Sequence, residues 1–528
     1  MLISKRLILG LACTALCAAF VGCGSDGGSS GGSGYNPVNP SVSGDYIFQI
    51  NSLPSGTSAT MLVSNTSMGS EDIKMSSSHA TVNPSHKEYT EDEAVEAGEI
   101  GPHDFTNILA EQIRPTAQRV ALNAKVDGKY DFTPNTKYTD CAKGGTVEIN
   151  VYKSLKTLSK INVKKMVDNS ETSSILVFSE MKNDGSTVIS HEKALEMDKT
   201  FGKDNIYHKN GTPIGKTVRD AFGREFSPGL DGTEKIIIFV LQSSTIGNGV
   251  YGYFNGADEY TIADSKASNE GEILYINGEI DDYDVYSTIG HEFQHMCCYN
   301  QKVILDGEYT GSPEITSVNE GRAVLAEDLC GFSLKGSDGT DETCNSYILQ
   351  CTSSYMAAPE NVCFNEFYNK NAEYGGNYLM QRYVADRYGV GAVTSAATNT
   401  EVGLDNVAQS AGTDFKTFFK DFGLTNLVSN YNKTDKSLSY TSISLAEKYG
   451  PDSKQIGRAE PADVVINNPS NIAQTTMLPY SNNYYRFTCS GNVNNMQVGL
   501  TAPSATSMFK MALISQSGFE RFIDAVKQ

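Results

Sequence analysis

The chain of 528 residues contains no tryptophan and only seven histidines, and none of the seven follows His295. Nothing in the sequence explains the missing tryptophan. The shortage of histidine restricts any chemistry that needs imidazole to a handful of positions. Beyond His295 a metal site must draw on carboxylates or thiolates, and a hydrogen-bond donor must come from tyrosine or arginine. Positive charge is also short, with 42 Lys and Arg against 62 Asp and Glu, a net charge of −20. That balance argues against nucleic acid as a partner, because phosphate backbones need a basic patch. No segment after Val21 is apolar enough to span a bilayer, and no internal repeat is apparent.

The one long apolar stretch, Leu7 to Val21, follows Lys5 and Arg6. It is too short for a membrane span and reads as a signal peptide over residues 1–22. Those residues hold two cations and no acid, so their removal takes the charge from −20 to −22. Gly22-Cys23 resembles a bacterial lipobox, which implies that Cys23 is the lipidated first residue of an exported lipoprotein. The chain then meets the membrane through this N-terminal lipid anchor. Gly24 is not an aspartate-type retention signal, so the outer membrane or cell surface is favoured. Residues 23–44, rich in Gly and Ser, read as a flexible tether.

About 500 mature residues suggest about three domains at ~150 each. Short alternating runs over 45–162 predict a β-rich N-terminal domain, interrupted by a polar stretch near 70–105. Residues 163–445 are expected to form the central domain, which carries the motifs below, and 461–528 a small β-rich tail domain. Strands are expected at 174–179, 235–241, 250–254 and 272–277, and a helix at 190–201. The run at 235–241 is continuously apolar, as in a buried central strand. Eight cysteines remain after the leader and Cys23. An even number in an oxidising compartment fits disulfides, with Cys344, Cys351 and Cys363 best placed, or equally a set of free buried thiols. The acidic loop 338–342 matches no calcium-loop spacing and reads as solvated.

His291-Glu292-Phe293-Gln294-His295 carries the chemistry. Two histidines four apart on a helix project from one face, so both imidazoles reach one ion. Glu292 sits beside the first as a general base toward a metal-bound water. Chance alone gives this pattern roughly 0.005 times in such a chain, from residue frequencies. Ile289, Phe293, Met296 and Cys297 gather on the opposite, core-facing side. Gly290 costs about 1 kcal/mol in a helix interior, which a close backbone neighbour would explain.

A catalytic zinc takes three protein ligands and leaves one position for water. The third must be a carboxylate or a thiolate, and Cys297 or Cys298 is the thiolate alternative. Residues 316–329 read as a second helix. It offers Glu320 as ligand, 25 positions after His295. Glu327 shares a face with Glu320 and can orient a histidine or the ligand carboxylate. Asp328, about 100° further round, is the alternative for that role, and a plain solvated acidic pair is the other reading of both.

His291-Glu292-x-x-His295 followed by Asn319-Glu320-Gly321 resembles the gluzincin metallopeptidases, and the triplet is similar to that of the aminopeptidase N family. The longer pattern adds Met296 and Ala326-Glu327-Asp328-Leu329-x-Gly331. It resembles the hyicolysin family of bacterial secreted or lipid-anchored metallopeptidases. The likeness spans about 165–390 and is concentrated at the two motifs. It implies an α+β, zincin-like domain: a mixed sheet, an active-site helix and a helical lower half. It also implies His291, His295 and Glu320 as ligands of one catalytic Zn2+, and Glu292 as the catalytic base. Zincins place an edge strand just before the motif helix, here the run at 272–277, to pair with an extended substrate. Relatives of aminopeptidase N carry an oxyanion-stabilising tyrosine at the start of a later helix, which corresponds to Tyr374. Asn377 stands where that family has glycine. Tyr378, Tyr383, an arginine or His208 are the other donors available. Val324 stands where thermolysin has an aspartate, so its outer wiring differs.

The expected function is a zinc metalloendopeptidase acting on protein or peptide. The alternative is a catalytically inactive, lipid-anchored binding protein or adhesin on the same scaffold, which the long β-rich flanks would suit.

Overall fold

The structure is a computed structural model that describes residues 44–527, apart from 79–124 and short stretches at 56, 127–128, 131–132, 155–156, 306–309, 336–343, 431–435, 464–472, 489–491, 502–506 and 516–517. The leader, Cys23, Cys489 and the 338–342 loop lie outside the described residues. The architecture is mixed α+β, with helices grouped around one six-stranded sheet and a separate pair of five-stranded sheets. Among the described residues no helix is long and apolar enough to cross a membrane.

The six-stranded sheet runs, in spatial order, Gly252–Phe254, Ile273–Asn277, Ile236–Leu241, Ile175–Glu180, Thr157–Lys165 and Thr146–Lys153. The three strands from Ile273–Asn277 to Ile175–Glu180 are parallel, and the outer pairings are antiparallel. Ile236–Leu241 is apolar throughout because both faces are covered. Ile236, Ile238 and Val240 enter the large core shared with the helices, whereas Ile237, Phe239 and Leu241 enter a second core behind the sheet. The helix expected near 190–201 spans His191–Gly202, and Ser190 caps it by accepting the Lys193 N–H at 3.2 Å.

Two features differ from the sequence reading. The hairpin Thr146–Lys165 extends the central sheet, although composition placed most of it in the N-terminal flank. The two flanks also pair with each other. Tyr46–Leu53 lies between Val493–Thr501 and Ala525–Lys527, and Ser58–Asn65 lies between Ser481–Thr488 and Met508–Ser515. Glu71–Ser77, inside the expected polar interruption, is a strand of the same sandwich. Phe48, Ile50, Met61 and Val63 meet Phe487, Val498 and Met511 in one core. The outer face of the second sheet rests on the helix Phe415–Val428, where the Tyr484 hydroxyl donates to the Gly423 carbonyl at 2.9 Å.

Candidate metal centre

The motif helix spans Asp282–Tyr299 and is buried on every side from Val285 to Cys298. Ile289, Phe293, Met296 and Cys297 join the main core as their spacing predicts. The histidine side is also buried, because the helix Thr316–Leu329 covers it. Gly290 has no tight neighbour: an added Cβ would meet Cys330 Sγ at 3.6 Å and Ile214 Cγ2 at 3.8 Å, both ordinary contacts. The expected close backbone neighbour is therefore not there.

His291, His295 and Glu320 converge, with one donor atom from each lying within 4.8 Å of the others. His291 Nε2 is 3.3 Å from Glu320 Oε2, and His295 Nε2 is 3.5 Å from Glu320 Oε1. Ligands at ~2.05 Å around a tetrahedral ion are separated by ~3.3 Å, close to both of these spacings. The electrostatics ask for a cation in the same place. Burial opposes charge on His291, but hydrogen bonds to Glu320 and Glu327 outweigh it and push its pKa up to about 10. Burial likewise opposes charge on Glu320, yet the field of His295 and the bonds from both imidazoles hold it well below the usual carboxylate range. Thiolate ligation loses ground, since among the described residues neither Cys297 nor Cys298 belongs to the converging group.

Glu327 holds His291. Its Oε1 lies 2.8 Å from His291 Nδ1, so Nδ1 keeps a proton against this carboxylate and Nε2 is the nitrogen that would meet an ion once its own proton is displaced. Its Oε2 accepts from Ser287 Oγ at 2.6 Å and from Asn345 Nδ2 at 3.2 Å. Asp328 does something else. It accepts from the Tyr378 hydroxyl at 2.8 Å and pairs with Arg382 at 3.1 Å, joining the glutamate helix to the helix Asn371–Tyr388. The sequence shows Ser287 as one turn before His291. Asn345 is visible only as the cap of the helix Ser346–Ala357, where its Oδ1 accepts the Ile348 N–H.

Gly321, after Glu320, has a spatial reason. An added Cβ would fall 2.6 Å from the Asn377 carbonyl oxygen, so glycine lets the helix Asn371–Tyr388 approach. Gly331 is similarly required: its φ is +98°, and an added Cβ would strike the Tyr207 carbonyl at 2.1 Å. Tyr374 lies three residues before Asn377, in the first turn of the helix, as the resemblance implied. It is buried between the rings of Phe367 and Tyr347 at 4.9 and 5.8 Å. Tyr383 is buried with Phe418 and Phe422. His208 sits in a turn where its Nδ1 accepts from the backbone of Asn210 and Thr212.

The edge of the sheet is Gly252–Phe254, not the run at 272–277, which is interior. The strand expected at 250–254 is present as Gly252–Phe254, and it takes the edge position. Phe254 N–H donates to Glu292 Oε2 at 2.9 Å, fixing the carboxylate of the motif against the edge. At Gly252 an added Cβ would lie 2.5 Å from Thr288 Cγ2, so glycine lets the motif helix lie against that strand. No disulfide joins any two of the seven described cysteines. That removes the suggested pairing among Cys344, Cys351 and Cys363.

No protein-family model matches the chain. A stretch of 118 residues, 20% of the chain, is 28% identical to the neutral metalloprotease ShpI of Staphylococcus hyicus. The match covers 26% of that protein. The chain is thus similar to a metalloprotease over a limited stretch and holds a buried His-His-Glu cluster of the kind that binds a metal.

Proposed function

We propose that the protein is a zinc metalloendopeptidase of the gluzincin type, similar to the hyicolysins, built on a zincin-like domain. The carrying observation is the buried convergence of His291, His295 and Glu320, with Glu292 beside them and Glu327 fixing His291. His291 Nε2, His295 Nε2 and a Glu320 oxygen would hold the ion. Bound zinc would supply Lewis acidity and an acidified water. Glu292, steadied by the Phe254 N–H, takes the proton of the attacking water and passes it to the leaving nitrogen. The backbone groups of Gly252 and the Phe254 carbonyl that turn away from Ile273–Asn277 face the free edge, while the Phe254 N–H is taken by Glu292. An extended substrate pairs there by main-chain hydrogen bonds of little sequence preference. Tyr374 donates to the oxyanion from the helix held against Gly321. Cys23 and the tether keep the enzyme on the outer membrane or cell surface.

Replacing Glu292 by Gln should abolish casein cleavage while one zinc per chain stays bound. Proteolysis retained in that variant would refute the assignment. Zinc bound but no chelator-sensitive cleavage in the unmodified protein would favour the inactive binding protein instead.

A further inference from the structure

The turn that joins the helix His191–Gly202 to the helix Ile214–Phe222 closes around one imidazole. His208 Nδ1 accepts the backbone N–H of Asn210 and that of Thr212, each at 3.2 Å. Two donors on one ring nitrogen require its lone pair, so the proton of the neutral ring is assigned to Nε2. A second proton can enter only at Nδ1, where it would face both N–H groups. The charged ring is therefore incompatible with the closed turn. Burial acts in the same direction and lowers the pKa of His208. The other bonds of the turn do not titrate: His208 N–H donates to the Asn205 carbonyl at 3.1 Å, Gly211 N–H to the His208 carbonyl at 2.8 Å, and Tyr207 N–H to Asn205 Oδ1 at 3.0 Å.

This turn is braced against both helices of the metal centre. Asn205 is fully buried and donates from Nδ2 to the Cys330 carbonyl at 2.8 Å, at the end of the helix that carries Glu320 and Glu327. An added Cβ at Gly331 would fall 2.1 Å from the Tyr207 carbonyl oxygen and 2.8 Å from His208 Cα, so the turn lies directly on that helix end. The Tyr207 ring packs on Tyr283 and Tyr286 of the motif helix at 5.5 and 5.8 Å, and on Phe332 at 5.1 Å. The charged groups around the turn are engaged elsewhere. Asp204 pairs with Lys199 at 3.3 Å, Lys216 of the following helix with Asp220 at 2.6 Å, Asp328 with Arg382 at 3.1 Å and Glu327 with His291 at 2.8 Å. Lys209 is exposed, and the motif helix presents the phenols of Tyr283 and Tyr286.

We propose that His208 is an acid-sensitive latch: neutral, it holds the 205–212 turn against the two helices of the metal centre, and its protonation releases that turn. This does not depend on the proteolytic reading. An open turn takes its proton at the ordinary ~6.5 and the closed turn resists it, so the closed state is fully favoured above ~6.5 and loses ground as pH falls below that value. The test uses the full chain, zinc-loaded and carrying Glu292→Gln so that self-digestion plays no part. Amide hydrogen exchange of the peptides covering 203–214 and 328–334 is followed from about pH 7.5 to about pH 5 and corrected for the intrinsic rate. A repeat in chelator excludes loss of zinc as the cause. The expected result is an acceleration of about tenfold in 203–214, the effect of losing two ordinary backbone bonds, with a smaller rise in 328–334. In His208→Asn the amide oxygen stands where Nδ1 does, accepts the same two N–H groups and takes no proton, so the acceleration should vanish. No acceleration in the parent, or one that persists in the folded variant, overturns the proposal. Should the variant not fold, exchange of the His208 ring C2–H, read by mass spectrometry, decides: a pKa below ~6.5 supports the latch, and one at or above ~6.5 overturns it.

Discussion

Glu327→Gln tests the wiring of the site most sharply. The native carboxylate accepts three times: from His291 Nδ1 at 2.8 Å, Ser287 Oγ at 2.6 Å and Asn345 Nδ2 at 3.2 Å. A glutamine offers one acceptor oxygen and one NH2 donor. If its oxygen faces His291, its NH2 faces the NH2 of Asn345, and that bond is lost. If it turns round, Ser287 and Asn345 are satisfied but an NH2 meets His291 Nδ1. The imidazole must then carry its proton on Nε2, the atom meant for the ion. Either way zinc binding suffers. Removing such an outer partner costs 10–100-fold in metal affinity, or about 1.4–2.8 kcal/mol. The assay is chelator competition for zinc at fixed pH, with a melt of the metal-free variant to confirm folding. Affinity within twofold of the parent would refute the claim that Glu327 sets the tautomer of His291.

Asp328→Asn should do the reverse, lowering stability by about 1.5–3 kcal/mol, since Arg382 keeps Asp386 as a second partner, with zinc affinity nearly unchanged; denaturant unfolding and the same competition assay separate the two. Gly321→Ala should cost about 1–3 kcal/mol by overpacking against Asn377, whereas Gly290→Ala should stabilise by about 0.5–1 kcal/mol; paired melts decide both. In the metal-free protein His291 titrates near 10 against an ordinary 6.5. Its contribution to metal-free stability is thus fully present below about 6.5 and is lost as pH rises through about 10. Zinc must displace that proton, so its affinity should rise about tenfold per pH unit across this window; a flat profile from pH 7 to 9 would contradict the shift.

The site was legible where its geometry is local. Four-residue spacing on a helix fixes two imidazoles on one face whatever surrounds them, and seven-residue spacing puts Glu327 over Glu320. Rotation by one residue carried Asp328 off that face, onto Tyr378 and Arg382, which lie 50 and 54 positions away. No periodicity reveals such a partner. The Phe254 N–H that steadies Glu292 is a backbone group and leaves no mark in residue type. The sheet edge was misplaced for a related reason. A rule tied to chain order put the edge at the strand preceding the motif helix, but hydrogen bonding placed Gly252–Phe254 outside it.

The flanks show where composition stops being informative. Alternation identified strands in both, since Phe48 and Ile50 point inward around exposed Gln49. Alternation does not name a strand's neighbours, and here they lie at the other end of the chain: Tyr46 faces Leu500, and Met61 faces both Tyr485 and Met511. Ser58–Asn65 is buried on both faces, with Met61 and Val63 in the sandwich core and Leu62 in the core it shares with the helices. Both of its lateral neighbours come from residues 481–515. A segment whose two faces and two edges are all covered by distant parts of the chain has no free surface at which a domain could end. A boundary drawn from local polarity near residue 162 or 461 therefore separates strands that share one core, and the six-stranded sheet takes Thr146–Lys165 from the same flank because its pairing to Ile175–Glu180 is set by hydrogen bonds rather than by any change in composition.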